Sequence, residues 1–72
     1  KASMPPPIFT FGEVVKVKGL KNAEELRVIG YTNSYFHLQY NQYIQVEYYN
    51  YGLLNAQGQE LIIAEFNLEK AQ

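Results

Sequence analysis

The chain has 72 residues, a formal charge of −1 and no cysteine. A chain this short folds as one domain of marginal stability, with no room for a second domain. Without cysteine it can build neither a disulfide nor a thiolate zinc site, so its stability must come from apolar packing, tight turns or self-association. No apolar run reaches the roughly 18 residues of a membrane span and no signal peptide is recognisable, so we expect a cytoplasmic protein without a membrane partner.

Charge is divided unevenly along the chain. Residues 1–31 hold five basic and three acidic side chains, and residues 32–72 hold one basic and four acidic side chains. The two parts therefore carry net charges of +2 and −3. This polarity can steer a partner or a second copy, but the basic part lacks the density of a dedicated duplex-binding surface.

Residues 1–7 form a predicted arm ahead of a single domain over residues 8–72. The first three residues are interpreted as a cloning scar, which places the natural start at Met4. Three prolines at residues 5–7 favour an extended backbone without amide donors, so the arm should be a stiff lead-in. A polyproline ligand for another protein is the alternative interpretation.

The first two predicted strands follow the arm. In "FTFGEVVKVKG" Phe11, Val15 and Val17 share one parity and two lysines take the other, which indicates a half-buried strand. "LKNAEE" is a polar connection. "LRVIGYT" is the second predicted strand. Its alternation places Leu26 and Tyr31 on opposite faces, and the glycine between them suggests a bulge. Residues 33–34 are predicted to form a turn, and residues 35–40 a short aromatic segment ended by Asn-Gln.

"YIQVEYYNY", residues 43–51, gives the clearest alternation. Gln45 and Glu47 indicate that their parity faces water, so Tyr43, Tyr49 and Tyr51 are predicted outside and Tyr48 inside. Residues 52–59 are expected to be a loop with a positive-φ turn at its second glycine, and "ELIIAEF" to return as a strand. The tail "FNLEKA" is predicted to cap the core through its phenylalanine and leucine.

Short strands at roughly ten-residue spacing, with no helical period, predict an all-β fold. We expect a small antiparallel barrel of about five short strands, since closing the sheet removes exposed edges from a chain rich in tyrosine and valine.

The composition offers few of the residues that enzymes use for catalysis. The chain has no aspartate, no cysteine and one histidine, so it can assemble neither an Asp-supported triad nor a thiol nucleophile. Glu24 and Glu25 lie beside Lys21 and Arg27 and are best interpreted as a solvated connection. His37 has no second histidine with which to share a metal. We therefore expect no enzyme activity, no cofactor and no metal.

Two binding surfaces are predicted instead. Exposed tyrosines are enriched at interfaces, and burial against a partner contributes roughly 1–2 kcal/mol per ring, so a protein partner or a second copy is expected to dock there. Cross-strand pairing, or cover by a loop, would explain the same tyrosines without a partner. The predicted partner-binding residues are Tyr31, Tyr43, Tyr49 and Tyr51.

The alternative surface is basic. A small barrel can bind single-stranded nucleic acid by phosphate contacts and aromatic stacking. An ordinary charged face that keeps the domain soluble is the competing interpretation. The residues concerned are Lys16, Lys18, Lys21 and Arg27.

From Phe9 onward, "FTFGEVVKVKG", "LRVIGY", "IQVEYY" and "ELIIAEFNLEKA" together resemble the layout of small bacterial and phage-type SH3-like barrels. The resemblance implies the fold and no particular function. Peptide-binding SH3 domains carry an Ala-Leu-Tyr-Asp-Tyr strand and paired tryptophans, which are absent here. Plasmid-type dihydrofolate reductases carry Val-Gln-Ile-Tyr in their last strand, whereas residues 44–47 here read Ile-Gln-Val-Glu in an earlier strand. Resemblance to Tudor-type barrels would imply an aromatic cage drawn from Tyr31, Tyr35, Tyr49 and Tyr51.

Overall fold

The computed structural model describes residues 4–39 and 43–72, and over residues 36–39 and 43–45 it describes the backbone alone. The fold is all-β, as predicted. Five antiparallel strands form one sheet in the order β4-β3-β2-β1-β5, and a short 3-10 turn, Glu65–Asn67, connects β4 to β5. The strands are β1 (Val14–Val17), β2 (Leu26–Gln39), β3 (Tyr43–Leu54), β4 (Glu60–Ala64) and β5 (Leu68–Lys70). Closure of this sheet into a barrel remains a prediction.

One hydrophobic core lies on one face of the sheet. Every strand except β4 places at least one fully buried side chain in it, and β4 packs against it through Leu61 and Ile63. Burial of one such aliphatic or aromatic side chain contributes roughly 1.5–3 kcal/mol, so the strands are held together chiefly by this core. The buried residues are Phe9, Val15, Leu26, Val28, Tyr49, Tyr51, Leu53 and Leu68.

Strand β2 is longer than predicted, because residues 33–34 do not turn. Asn33 pairs with Tyr49 and Ser34 with Tyr48, and the ladder continues to Gln39. The Ser34 side chain bonds across the strands instead of closing a turn, since Asn50 Nδ2 donates a hydrogen bond to Ser34 Oγ at 2.9 Å. The separate aromatic segment is thus the second half of β2, and its predicted end at residues 41–42 lies outside the described part of the chain.

The distal halves of β2 and β3 form a two-stranded ribbon, residues 32–39 and 43–49. Among the described residues, β1 pairs with β2 only at Leu26 and Arg27, and β4 pairs with β3 only from Asn50 onward. The chain is accordingly elongated, with extents of 42 × 25 × 21 Å and a radius of gyration of 13.8 Å, against about 11 Å expected for a compact chain of this length. The ribbon projects from the core.

A β-bulge interrupts β2, as the glycine in "LRVIGYT" predicted. Val28 pairs with Leu53 but Gly30 pairs with Gly52, so Ile29 is the extra residue. The insertion reverses the alternation of everything after it. Tyr31, predicted to oppose Leu26, therefore faces the core side instead, directly across from Tyr51.

The structure also differs from the sequence prediction at the start of β1, at the end of β3 and in the tail. Phe11 precedes β1 in a turn and is 80% exposed, so it does not share the buried parity of Val15. Strand β3 runs on to Leu54, which shortens the predicted loop, while Gly58 takes the expected positive φ of 79°. In the tail Leu68 is buried, but Phe66 is largely exposed. No helix in the described residues is long and apolar enough to span a membrane.

Candidate partner-binding site

The tyrosines of β3 lie on the opposite faces from those predicted. Tyr51 is fully buried and Tyr49 is 9% exposed, whereas Tyr48, predicted inside, is only half-buried. The prediction took Glu47 as the marker of the wet face, but Glu47 lies in the projecting ribbon. Closer to the core the same parity continues into Leu53, which is fully buried. The expected exposure of Tyr49 and Tyr51 was therefore wrong.

Three tyrosines meet on the core side of the sheet. The ring of Tyr31 lies edge-on to Tyr49, with centroids 5.4 Å apart, and is tilted 6.1 Å from Tyr51. Edge-to-face aromatic pairs at this spacing are worth roughly 0.5–1.5 kcal/mol beyond the area they bury. Tyr31 remains 53% exposed. We call Tyr31, Tyr49 and Tyr51 the tyrosine cluster.

Tyr43 and Tyr35 are also among the residues named from the sequence. The side chain of Tyr43 lies outside the described part of the structure. Tyr35 is exposed and pairs with Glu47 farther out along the ribbon. Of the four rings considered for an aromatic cage, the described contacts bring together Tyr31, Tyr49 and Tyr51.

The N-terminal arm, residues 4–9, covers the tyrosine cluster. Phe9 is 4% exposed, and its ring packs edge-on against Tyr51 with centroids 5.4 Å apart. The Phe9 backbone N–H donates a hydrogen bond to Tyr51 Oη at 3.2 Å, and Tyr49 Oη donates to the Pro5 carbonyl at 2.6 Å. Met4 packs against the core as well. The arm is therefore a docked element rather than a free lead-in.

Glu65 connects the arm to the cluster. Its Oε2 accepts a hydrogen bond from Tyr51 Oη at 2.5 Å and another from the Ile8 backbone N–H at 3.0 Å. Burial and the hydrogen bond to Glu65 together raise the pKa of Tyr51 to about 12, while the Phe9 N–H acts in the opposite direction. The buried phenol is thus held in its neutral, donating form.

A surface cleft of about 400 Å³ opens beside the arm. Met4 and Pro5 form one side, and Tyr48, Tyr49 and Phe66 form the other. The rings of Tyr48 and Phe66 lie 5.5 Å apart, and Phe66 is 54% exposed. Tyr49 belongs to both the tyrosine cluster and this cleft, and Tyr31 and Phe66 beside them remain largely exposed.

The basic residues named from the sequence are distributed differently. Lys16 Nζ lies 3.9 Å from a carboxylate oxygen of Glu69 on the paired strand β5, and Arg27 Nη1 donates to the Gly12 carbonyl at 2.8 Å. Lys18 and Lys21 are exposed in the connection after β1. Part of this patch is thus engaged within the chain. The described residues contain no group of three or more acidic or histidine side chains placed to hold a metal.

Sequence reasoning missed Pro5, Phe9 and Glu65 as parts of the site. The available signal was the apolar density of "MPPPIF", which is unusual for a free arm and typical of a segment that packs. Glu65 gave no local signal, because its partners lie 14 and 57 residues away.

Comparison of the chain with protein-family models, curated proteins and solved structures gives no match.

Proposed function

We propose that the chain is a non-enzymatic interaction module that binds an extended segment of a protein partner on the tyrosine cluster and the adjoining cleft. One observation carries this proposal: a proline-containing segment, the chain's own arm, already lies there. The SH3-like frame is part of the proposal, and the strand order β4-β3-β2-β1-β5 supports it.

The contacts that hold the arm favour a surface that can bind peptides of different sequence. Tyr49, Tyr51 and Glu65 all contact backbone atoms of the arm, at Pro5, Phe9 and Ile8 respectively. Backbone groups are present in every peptide, so these contacts select an extended conformation more than a side-chain sequence. Proline lowers the cost of that conformation because its φ is already fixed.

Aromatic residues contact the arm directly. Tyrosine offers a large, rigid ring with a polar tip, and both features are used here by Tyr49 and Tyr51. The exposed parts of Tyr31 and Phe66 flank the arm and add apolar area for a partner.

Competition with the arm sets the apparent affinity. A tethered segment acts at an effective concentration of roughly millimolar, and only chains with an undocked arm accept a partner. The apparent dissociation constant therefore rises as the undocked fraction falls. Weakening the arm without altering the cluster should strengthen binding from outside.

The test uses the full chain and a labelled peptide with the sequence of residues 4–9. Replacing Pro5, Pro6 and Pro7 with glycine makes the undocked arm more flexible, so its docking weakens by a few tenths to about 1 kcal/mol per residue. We expect the peptide to bind this variant roughly tenfold more tightly than the parent chain, measured by fluorescence anisotropy.

Tyr49→Phe in the same glycine background is the matched control. It retains the ring and removes the donor to the Pro5 carbonyl, so the peptide should bind about fivefold more weakly, the equivalent of a typical net hydrogen bond. Circular dichroism confirms that both variants are folded. Equal binding of the peptide by all three chains, or none by any of them, would contradict the proposal.

A further inference from the structure

We propose that two copies of this chain exchange N-terminal arms, so that residues 4–9 of each copy dock on the tyrosine cluster of the other. The inference rests on the proposed function, because it assigns the same surface a partner, namely a second copy. The segment already seen on the cluster defines what a second copy would contribute.

The arm is separable from the sheet. Three polar contacts of the arm link it to the sheet and the turn after β4. They pair Pro5 with Tyr49, Ile8 with Glu65 and Phe9 with Tyr51, and the sequence separation within each pair is between 42 and 57 residues. None of these contacts depends on the arm belonging to the same chain. Another copy supplies identical groups, and exchange of an identical element is a low-cost route to a dimer.

The cluster is also incomplete without an arm. Phe9 is one of the buried core residues and packs on the ring of Tyr51. An undocked arm leaves the Tyr51 hydroxyl and the Glu65 carboxylate without the backbone N–H donors of Phe9 and Ile8. When the arm of one copy is undocked, the surface it leaves can therefore bind the undocked arm of another copy.

A short turn between the arm and β1 acts as the hinge. The Glu13 N–H donates to the Thr10 carbonyl at 3.0 Å, the Thr10 N–H donates to Glu13 Oε1 at 3.0 Å, and Gly12 has a φ of 86°. Phe11 stands exposed at the tip of this turn. Extending the hinge removes the left-handed residue and brings the Phe11 rings into the new connection between the copies.

The free energy of the hinge turn decides the equilibrium between the closed monomer and the exchanged dimer. Contacts of the arm with the cluster are the same in the closed monomer and the exchanged dimer, so they cancel. What remains is the cost of association and the free energy of the turn, including the hydrogen bonds that Gly12 makes with Val28 and Arg27 of β2. A substitution that strains the closed turn, and that extended backbone accepts, should favour the dimer.

Gly12→Val is such a substitution. A Cβ at Gly12 meets no atom within 4 Å, so the substitution acts chiefly through the positive φ. Relief of left-handed strain is worth about fivefold per turn, and two turns open in each dimer, so the dimer association constant should rise roughly 30-fold. Size-exclusion chromatography with light scattering, from about 10 μM to 1 mM, measures it.

Gly19→Val is the matched control, since Gly19 also has a positive φ, 74°, and open space around it. It lies in the connection after β1 and should leave the chain as monomeric as the parent. Dimerisation of the Gly19 variant to the same extent, or a Gly12 variant that stays monomeric at 1 mM, overturns the exchange.

Isotope-filtered NMR then identifies the contact in the dimer. In a mixture of ¹³C-labelled and unlabelled Gly12→Val chains, exchange predicts intermolecular Overhauser effects between the rings of Phe9 and Tyr51. A dimer without them has formed by another surface, and the inference fails. A chain that binds the peptide of residues 4–9 but never exchanges arms retains the proposed function, so the two failures are distinguishable.

Discussion

Tyr51 and Glu65 are joined by a hydrogen bond of 2.5 Å, in which the buried phenol donates to the carboxylate oxygen that also accepts the Ile8 backbone N–H. One oxygen atom thus links β3, the turn after β4 and the N-terminal arm. Because Tyr51 in turn accepts the Phe9 N–H, the phenol is both donor and acceptor at the centre of the site.

Removal of this hydroxyl should destabilise the fold. Tyr51→Phe keeps the ring packed but leaves Glu65 and the Phe9 N–H short of a partner, at a cost of about 1–3 kcal/mol. Urea denaturation measures the free energy of unfolding. Tyr31→Phe is the control, since its half-exposed ring should change stability by no more than about 0.5 kcal/mol. Equal stability of the two variants would contradict the role given to the Tyr51 hydroxyl.

The same group predicts a loss of stability at alkaline pH. The pKa of Tyr51 is raised from 10.0 to about 12 in the folded state, so its contribution is fully present below pH 10 and is lost as the pH rises toward 12. A two-unit shift corresponds to at most about 3 kcal/mol. Unfolding free energies measured across this window should fall more steeply for the parent chain than for Tyr51→Phe. Parallel slopes would refute the prediction.

Docking of the arm should be visible in a pair of phenylalanine substitutions. Phe9→Ala empties a buried position and should cost about 3–5 kcal/mol, a large share of the roughly 4–11 kcal/mol expected for a domain of this size. Phe9→Leu, which keeps most of the volume, should cost less than about 1.5 kcal/mol and remain measurable if the alanine variant unfolds. Phe11→Ala, two residues away and exposed, should be nearly neutral. A Phe9 variant as stable as the Phe11 variant would mean that the arm is undocked.

The projecting ribbon should exchange its amide hydrogens faster than the core does. Backbone hydrogen bonds that lack neighbouring strands and buried side chains open at low free-energy cost. Amides of residues 32–35 and 46–48 should therefore exchange well before those of Val28 and Leu53, as followed by NMR in D₂O. Uniform protection along β2 and β3 would indicate that the ribbon is supported.

The basic surface provides a separate test of nucleic-acid binding. If residues 16–27 bind single strands, affinity should fall steeply with salt and be lost in a Lys16→Glu, Lys18→Glu double variant. We expect instead weak binding at low salt that the double variant changes little, since Lys16 already faces Glu69 across the strand pair. Filter binding to an oligothymidine at two salt concentrations separates these outcomes.

The sequence predicted the strands better than it predicted their faces. Alternation located β1, β4 and the core half of β3 because the residues of each strand that pack in or against the core recur at period two, namely Val15 and Val17, Leu61 and Ile63, and Tyr51 and Leu53. It assigned Tyr49 and Tyr51 to the wrong face because β3 crosses from the core into the ribbon, and one glutamate in the ribbon was read as typical of the whole strand. Extending the pattern by two residues to Leu53 would have reversed the assignment.

The site itself was predicted only in part. Tyr31, Tyr49 and Tyr51 do come together, but the arm contacts Tyr49 and Tyr51, and of the three only Tyr31 is exposed. Docking of the arm depends on contacts between residues more than 40 positions apart, which no local pattern encodes. The arm's apolar residues were visible in the sequence, but the surface that receives them forms only when β3 and the turn after β4 are in place.

The bulge at Ile29 has a consequence for how this protein can vary. Residues inserted into loops leave the faces of a strand unchanged, whereas the single extra residue in β2 sets the phase of every side chain beyond it. With the bulge, Tyr31 pairs with Tyr51; in an uninterrupted ladder Ile29 would pair with Gly52, Gly30 would lie across from Tyr51 and Tyr31 would turn to the opposite face of the sheet. The aromatic surface is therefore specified as much by the length of one strand segment as by the identity of the tyrosines.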